Sequence, residues 1–177
     1  MTKTRIRALT CCAVCVALAF ILSNVKLFMM PQGGSVTACS MFFIALAGFW
    51  FGPAAGIASG AALGFLELIL GGYVVHPAQM LLDYPLAYGA LGLSGCFREM
   101  RHGLTIGYTA GAAARFFMAF LSGIIFFASY TPEGQNTLLY SAGYNISYIW
   151  PEALFTMIIV SIPAFREALA RVRKMIM

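Results

Sequence analysis

The chain has 177 residues, 61% of them apolar and only 10% charged, with 18 glycines and a formal net charge of +5. A soluble domain carries about 25% charged residues, so there is too little polar surface here to cover a water-soluble globule, which excludes an ordinary cytosolic enzyme, a nucleic-acid-binding domain and a disordered chain. The basic residues lie in short clusters between apolar runs, the pattern left by oriented insertion into a membrane.

Apolar stretches of roughly 17–25 residues, cut by polar or Gly/Pro punctuation, read as membrane spans. Six occur in chain order, over residues 8–25, 37–51, 53–70, 80–97, 104–130 and 139–165. The expected fold is an all-α membrane protein, a compact bundle of six transmembrane helices forming a single domain over residues 1–177. The second span is short and meets the third at Phe51-Gly52-Pro53, and the fifth and sixth are long enough to tilt. Lys3, Arg5, Arg7, Arg98, Arg101, Arg166, Arg171, Arg173 and Lys174 fall on one side of this arrangement and Lys26 alone on the other, which puts both termini in the cytoplasm. The first span lacks the small-residue cleavage site of a signal peptide.

Cys11, Cys12, Cys15, Cys39 and Cys96 all fall within spans and read as buried packing residues; no second pair or histidine accompanies Cys12-x-x-Cys15 to make a metal site. Helices in lipid associate through small side chains. Gly52, Gly56, Gly60 and Gly64 stripe the third span, and Gly103, Gly107 and Gly111 stripe the fifth; both read as internal packing faces. Ala13-x-x-x-Ala17 in the first span fits either packing or docking of a partner.

Ionisable groups inside a membrane are costly, so each is a functional candidate. Four fall within spans: Glu67, Asp83, Arg115 and Glu152. Arg115 and Glu152 lie at similar mid-span depth and are expected to form a buried ion pair. Asp83 and Glu67 lie toward the outer side. Near that level come Tyr84 and Tyr88, then Ser122, Gly123, Phe126 and Phe127, then Tyr140, Ser141, Tyr144 and Asn145. A carboxylate, an amide and several aromatic faces suit a flat, cationic, partly aromatic small molecule. Tyr73, Tyr130 and Trp50 read as interfacial belt residues. The outer loops 30–35 and 71–77 are glycine-rich and could close over a pocket; His76 reads as a cap on the helix that follows Pro77.

Taken in order, Pro31-Gln32-Gly33-Gly34-Ser35-Val36-Thr37, Ser40-Met41, His76-Pro77-Ala78-Gln79-Met80-Leu81-Leu82-Asp83-Tyr84-Pro85-Leu86-Ala87-Tyr88, Ser122 to Phe127, Tyr140-Ser141, Tyr144-Asn145, Tyr148 and Pro151-Glu152 resemble the thiamine-specific substrate-binding (S) component of energy-coupling factor (ECF) transporters, a bacterial vitamin-uptake family. The resemblance covers nearly the whole chain, and Leu-Leu-Asp-Tyr-Pro-Leu-Ala is its most specific part. It implies a thiamine pocket under the outer loops, with Asp83 facing the thiazolium, Tyr84, Tyr140 and Asn145 lining the site, Gly123 allowing close approach and Phe127 supplying a ring. Glu67 is a further pocket candidate. Ala13 and Ala17 match the family's first-helix motif for docking on the coupling subunit. The chain departs from the family at Ala119, where a binding histidine is common, and around Gly34 and Ala38, where some relatives carry a tryptophan and a carboxylate. Loss of the histidine removes a hydrogen bond to the pyrimidine ring, which opens the alternative of a thiamine precursor or analogue.

The resemblance also implies partners: a transmembrane coupling subunit and two ATPases in a bacterial cell membrane. The chain itself has no Gly-x-x-x-x-Gly-Lys-Ser/Thr loop, so ATP use falls to those partners. No bound cofactor, metal or catalytic residue is expected. A stand-alone proton-coupled carrier using Asp83 or Glu67 is the competing transport reading, weakened by the lack of visible inverted repeats. An intramembrane metalloenzyme would need clustered His and Glu, and His76 and His102 lie on opposite sides of the membrane.

Overall fold

The computed structural model describes residues 3–31 and 34–176, so Gln32 and Gly33 of the first outer loop lie outside the described residues. Among the described residues are seven longer helical segments, a single 3-10 turn at Ala128–Tyr130 and one hairpin. Helix α1 spans Lys3–Ser23. Strands β1 (Lys26–Met29) and β2 (Ser35–Thr37) pair antiparallel, with Lys26 opposite Thr37 and Met29 opposite Ser35. Helices α2 (Ser40–Phe51) and α3 (Pro53–Gly71) follow, joined at Gly52, whose φ of 95° is reserved for glycine. Residues 77–97 form α4; then come α5 (Gly103–Phe126), α6 (Thr137–Ser161) and α7 (Pro163–Ile176).

Five of the six apolar stretches of the sequence each overlap one helix, while the sixth, 139–165, runs through α6 and into α7, so the bundle is not the expected set of six continuous rods; the differences have local causes. By length and composition, three helices can cross a bilayer: Arg5–Ser23, Pro53–Gly71 and Gly103–Phe126. Helix α6 is bent by 81° from α7, so the stretch 139–165 is not one continuous rod. The break falls where Pro163 cannot donate to the preceding turn. Thr37 belongs to β2 rather than to the second span, and the segment before it is a hairpin rather than an unstructured loop.

Helix α2 is short because it is a core element: nine of its twelve residues, from Ser40 to Trp50, are buried. Trp50 therefore sits in the core, edge-on to Phe51, and not in an interfacial belt. Cys12 and Cys15 are buried as expected, Cys11 and Cys39 half-buried; Cys96 is exposed, because it lies on the outer face of the last turn of α4.

Helix α4 positions the site and is irregular throughout. It is α-helical over Pro77–Leu81, π-helical over Leu82–Leu86, α-helical over Ala87–Ala90 and 3-10 over Leu91–Phe97. Pro85 lacks the N–H that the ladder needs, and a widened turn around it absorbs the loss. Both glycine stripes press on this segment. A Cβ on Gly64 would fall on the Tyr84 carbonyl at 2.5 Å, and one on Gly60 would collide with the carbonyl of Tyr88. From α5, Cβ atoms on Gly107 and Gly111 would lie 2.6 and 2.9 Å from the carbonyls of Ser94 and Leu91. The stripes clamp α4 between α3 and α5, the close backbone approach by which helices pack in lipid.

Candidate ligand-binding cavity

A cavity of about 910 Å³ opens between α1, the hairpin and α3 to α6. All eight residues expected at a binding site line it: Glu67, Asp83, Tyr84, Ala119, Gly123, Phe127, Tyr140 and Asn145. Seven arrive from the four helices α3 to α6 and Phe127 from the residue that ends α5, and the glycine contacts that clamp α4 hold Asp83 and Tyr84 across the cavity from α5 and α6.

Asp83 accepts a hydrogen bond from Gln79 Nε2 at 2.6 Å. Gln79 is fully buried and is itself fixed, donating to the Tyr73 carbonyl and accepting from the Val75 N–H, both at 3.1 Å. The spacing of four residues places Gln79 and Asp83 one turn apart on a helix face, a pairing open to sequence reasoning but missed by it. Tyr84 Oη accepts from the Tyr73 N–H at 2.7 Å, tying the 71–77 loop to α4. Glu67 accepts from Ser23 Oγ of α1. Asn145 is locked from both ends, Nδ2 donating to the Ser141 carbonyl at 2.9 Å and Oδ1 accepting from Tyr148 Oη at 2.7 Å. A Cβ on Gly123 would collide with Ser141 Oγ, so this glycine is also required by the packing of α5 on α6.

Tyr73 and Tyr130, expected in a belt, are instead rim residues of the cavity. Their hydroxyls are hydrogen-bonded at 2.8 Å, and both rings lie beside Phe127, with centroids 6.3 and 5.6 Å away. That hydrogen bond pushes the exposed Tyr73 phenol up from its ordinary value. His76 caps α4, its Nδ1 accepting from the Ala78 N–H at 3.1 Å, and stacks on Phe126 at 5.1 Å.

The expected Arg115–Glu152 ion pair does not form. Glu152 accepts four hydrogen bonds, from the Thr37 N–H (3.0 Å), Thr37 Oγ1 (2.7 Å), Ser40 Oγ (3.0 Å) and the Met41 N–H (3.2 Å). These donors lie at the end of β2 and the first turn of α2, where backbone N–H groups lack helical partners and a carboxylate is favoured. Cys39 bridges them in the left-handed region at φ 63°. Arg115 lies over the Tyr88 ring at 4.3 Å, a cation–π contact, and among the described residues no carboxylate is within ion-pairing distance of it. Both residues line the cavity floor. The missed partners lie far off in sequence (Thr37 and Glu152 are 115 residues apart), beyond the reach of local spacing.

The titratable side chains lining the cavity are thus mainly acidic and phenolic: Glu67, Asp83 and Glu152 stand against Arg115 and Lys26. Three carboxylates against two cations, with phenyl and phenol faces around them, make a chamber that favours a compact aromatic cation. Among the described residues no cluster of His, Cys, Asp and Glu could hold a metal ion.

Residues 9–171 match the family described as "Thiamine transporter protein". The chain is 34% identical over 164 residues to thiamine transporter ThiT of Bacillus subtilis strain 168, covering 84% of this chain and 85% of that protein. It is 30% identical over 121 residues to thiamine transporter ThiT of Lacticaseibacillus paracasei strain ATCC 334, covering 59% of this chain and 60% of that protein. Both relatives are named as transporters, not as enzymes. The fold is similar to the solved structure of ThiT from Listeria monocytogenes, with a TM-score of 0.80 at 23% identity over 98% of this chain and 99% of that one.

Proposed function

The chain belongs to the thiamine transporter protein family, and on that premise we propose that it is the substrate-binding subunit of an ECF-type importer, taking thiamine from outside the cell. The observation that carries the reading is the convergence of Asp83 and Glu67 with the rings of Tyr84, Phe127 and Tyr140 around one cavity. Asp83 faces the thiazolium; the rings take the flat faces of the ligand; Asn145 and the phenols supply polar edges for the pyrimidine. Ala119 leaves room where a larger side chain would contact the ligand.

In this reading six apolar helices cross the cell membrane with both termini inside, supported by the clustering of Lys and Arg at one end of the chain's helices. Energy comes from a coupling membrane subunit and two ATPases, supported by the absence of any phosphate-binding loop in the sequence. Ala13 and Ala17 are exposed on α1, a small-residue face available for that subunit.

The test is calorimetric titration of the purified, detergent-solubilised protein with thiamine, hydroxymethylpyrimidine and riboflavin. Saturable binding with thiamine as the tightest ligand supports the assignment. Tighter binding of the pyrimidine alone would move the substrate to a precursor, and no response to any of the three would remove the cavity from thiamine uptake.

A further inference from the structure

Tyr148 of α6 lines the cavity together with Asn145 but is not among the eight residues expected at the binding site. Its ring is held from three directions. The Tyr144 ring lies 5.4 Å away between centroids, a Cβ on Gly34, just before β2, would fall 2.6 Å from Tyr148 Cδ1, and the ring also packs against the bundle core. A ring fixed in this way delivers its hydroxyl to one place: Tyr148 Oη donates to Asn145 Oδ1 at 2.7 Å, about one turn along the same helix.

The Asn145 amide cannot turn over. Its Nδ2 faces three acceptors: the Ser141 carbonyl at 2.9 Å, the Ala119 carbonyl at 3.4 Å and, at 3.5 Å, Ser141 Oγ, whose own proton goes to the Phe120 carbonyl at 3.0 Å. A flipped amide would set Oδ1 against all three with no proton between them. The donors of Asn145 are therefore spent on the protein, and what it can still offer a ligand is the second lone pair of Oδ1. Tyr148 has one hydroxyl proton and gives it to that same oxygen, so Oη too has only lone pairs left. An amide and a phenol can each donate or accept; here both are acceptors. Asn145 is only 4% exposed, so an acceptor set against this edge has little water to turn to.

We propose that Tyr148 is a specificity-determining residue: by spending its proton on Asn145 it makes this edge of the cavity a pair of acceptors, which takes an amino group on a heteroaromatic ring and rejects a ring carbonyl in the same place. The proposal deepens the thiamine reading and rests on it. With the thiazolium on Asp83 of α4, the pyrimidine is the ring left for α5 and α6, and its one exocyclic amino group is the donor that the acceptor pair requires.

The experiment is calorimetric titration of the purified, detergent-solubilised full chain with thiamine and with oxythiamine. The two share the thiazolium and differ in the pyrimidine, where an oxygen replaces the amino group. Each acceptor left facing a carbonyl costs about tenfold, so wild-type protein should prefer thiamine by about 100-fold. Tyr148→Phe leaves Asn145 Oδ1 as the only acceptor, and the preference should fall to about tenfold. Asn145→Leu frees the Tyr148 hydroxyl to turn its proton toward a carbonyl, and the preference should fall to within about threefold. The ratio of the two dissociation constants cancels any general loosening of the cavity, which a merely structural role for Tyr148 would produce. Wild-type protein that binds both ligands alike would overturn the proposal, as would either variant keeping the full preference. Wild-type protein that binds neither ligand would refute the thiamine reading itself, and the proposal with it.

Discussion

Asp83→Asn tests the electrostatics of the cavity most directly, because the structure makes it a nearly pure change of charge. The side chains are isosteric, and Gln79 Nε2, which donates to Asp83 Oδ2 at 2.6 Å, keeps an acceptor in the asparagine Oδ1. Gln79 is also held by Tyr73 and Val75, so the local frame does not depend on the lost charge. A unit charge pair about 4 Å apart is worth about 4 kcal/mol at an effective dielectric constant of about 20. Residual amide dipole and entering water recover part of that, leaving a loss of about 2–4 kcal/mol, or roughly 30- to 1,000-fold in Kd for thiamine. The uncharged hydroxymethylpyrimidine gains nothing from the carboxylate's charge and should weaken by no more than about tenfold, the scale of one neutral hydrogen bond. Calorimetric titration of both ligands against both proteins gives the comparison, repeated at high salt, where a desolvated pair is little screened. Equal proportional losses for the two ligands would refute the ion-pair argument, and unchanged thiamine affinity would take Asp83 out of the site.

Bulky replacement of Ala13 or Ala17 by Trp should leave thiamine affinity unchanged and abolish uptake in cells that express the coupling module; loss of binding as well would make these alanines packing residues of the bundle. Gly92→Ala should lower the midpoint of thermal unfolding in detergent sharply, because its Cβ would meet the backbone of Gly56 and Ile57, with overpacking costing about 1–3 kcal/mol or more. Gly143→Ala is the matched control, since nothing lies within 4 Å of the added carbon; similar midpoints for the two would show that α4 can move away from α3. Glu152→Gln sets an amide donor against four donors and should cost about 1–3 kcal/mol by the same unfolding assay, whereas an unaltered midpoint would mean that the hairpin is held by other contacts. A small maleimide should label Cys96 in the folded protein and spare Cys12 and Cys15, with labelling read by mass spectrometry of the peptides.

What the sequence made legible was what local periodicity encodes. The apolar runs, the glycine stripes and the cap at His76 are patterns within one helix or turn, and each appears in the structure. The eight cavity residues were legible through depth along the spans together with motif resemblance, neither of which needs the packing to be known. Pairings across the chain were hidden. Nothing near Glu152 indicates that its partners are Thr37, Ser40 and Met41; Arg115, the nearest mid-span charge, was the natural guess. The hairpin was hidden because Lys26-Leu27-Phe28-Met29 is four exposed residues, too short for alternation to register. Trp50 was misplaced because an aromatic near a span end sits in a belt only when its helix faces lipid, and α2 is enclosed. Helix α7 was legible in principle: Phe165, Leu169, Val172 and Ile176 repeat at helical spacing, but their basic neighbours drew attention to orientation instead.

The fate of each intramembrane charge narrows which group is available to a ligand. Glu152 is consumed by four donors that fix β2 and α2 against α6, so its charge supports the hairpin that forms one cavity wall. Arg115 lies on the Tyr88 ring, a partner that holds a cation without neutralising a carboxylate. Had Arg115 paired with Asp83 or Glu67, the chamber would have lost the negative charge that a cationic ligand needs. Glu67 and Asp83 instead accept from neutral groups, Ser23 and Gln79, and among the described residues neither has a cation within ion-pairing distance. Neutral donors orient a carboxylate while leaving its charge uncompensated, and a charge held that way in a poorly solvated chamber is a standing attraction for a cation. Of the two, Asp83 is held by a side chain with three hydrogen bonds of its own within α4 and the adjoining loop, so its carboxylate is the one preorganised to meet a ligand without rearrangement.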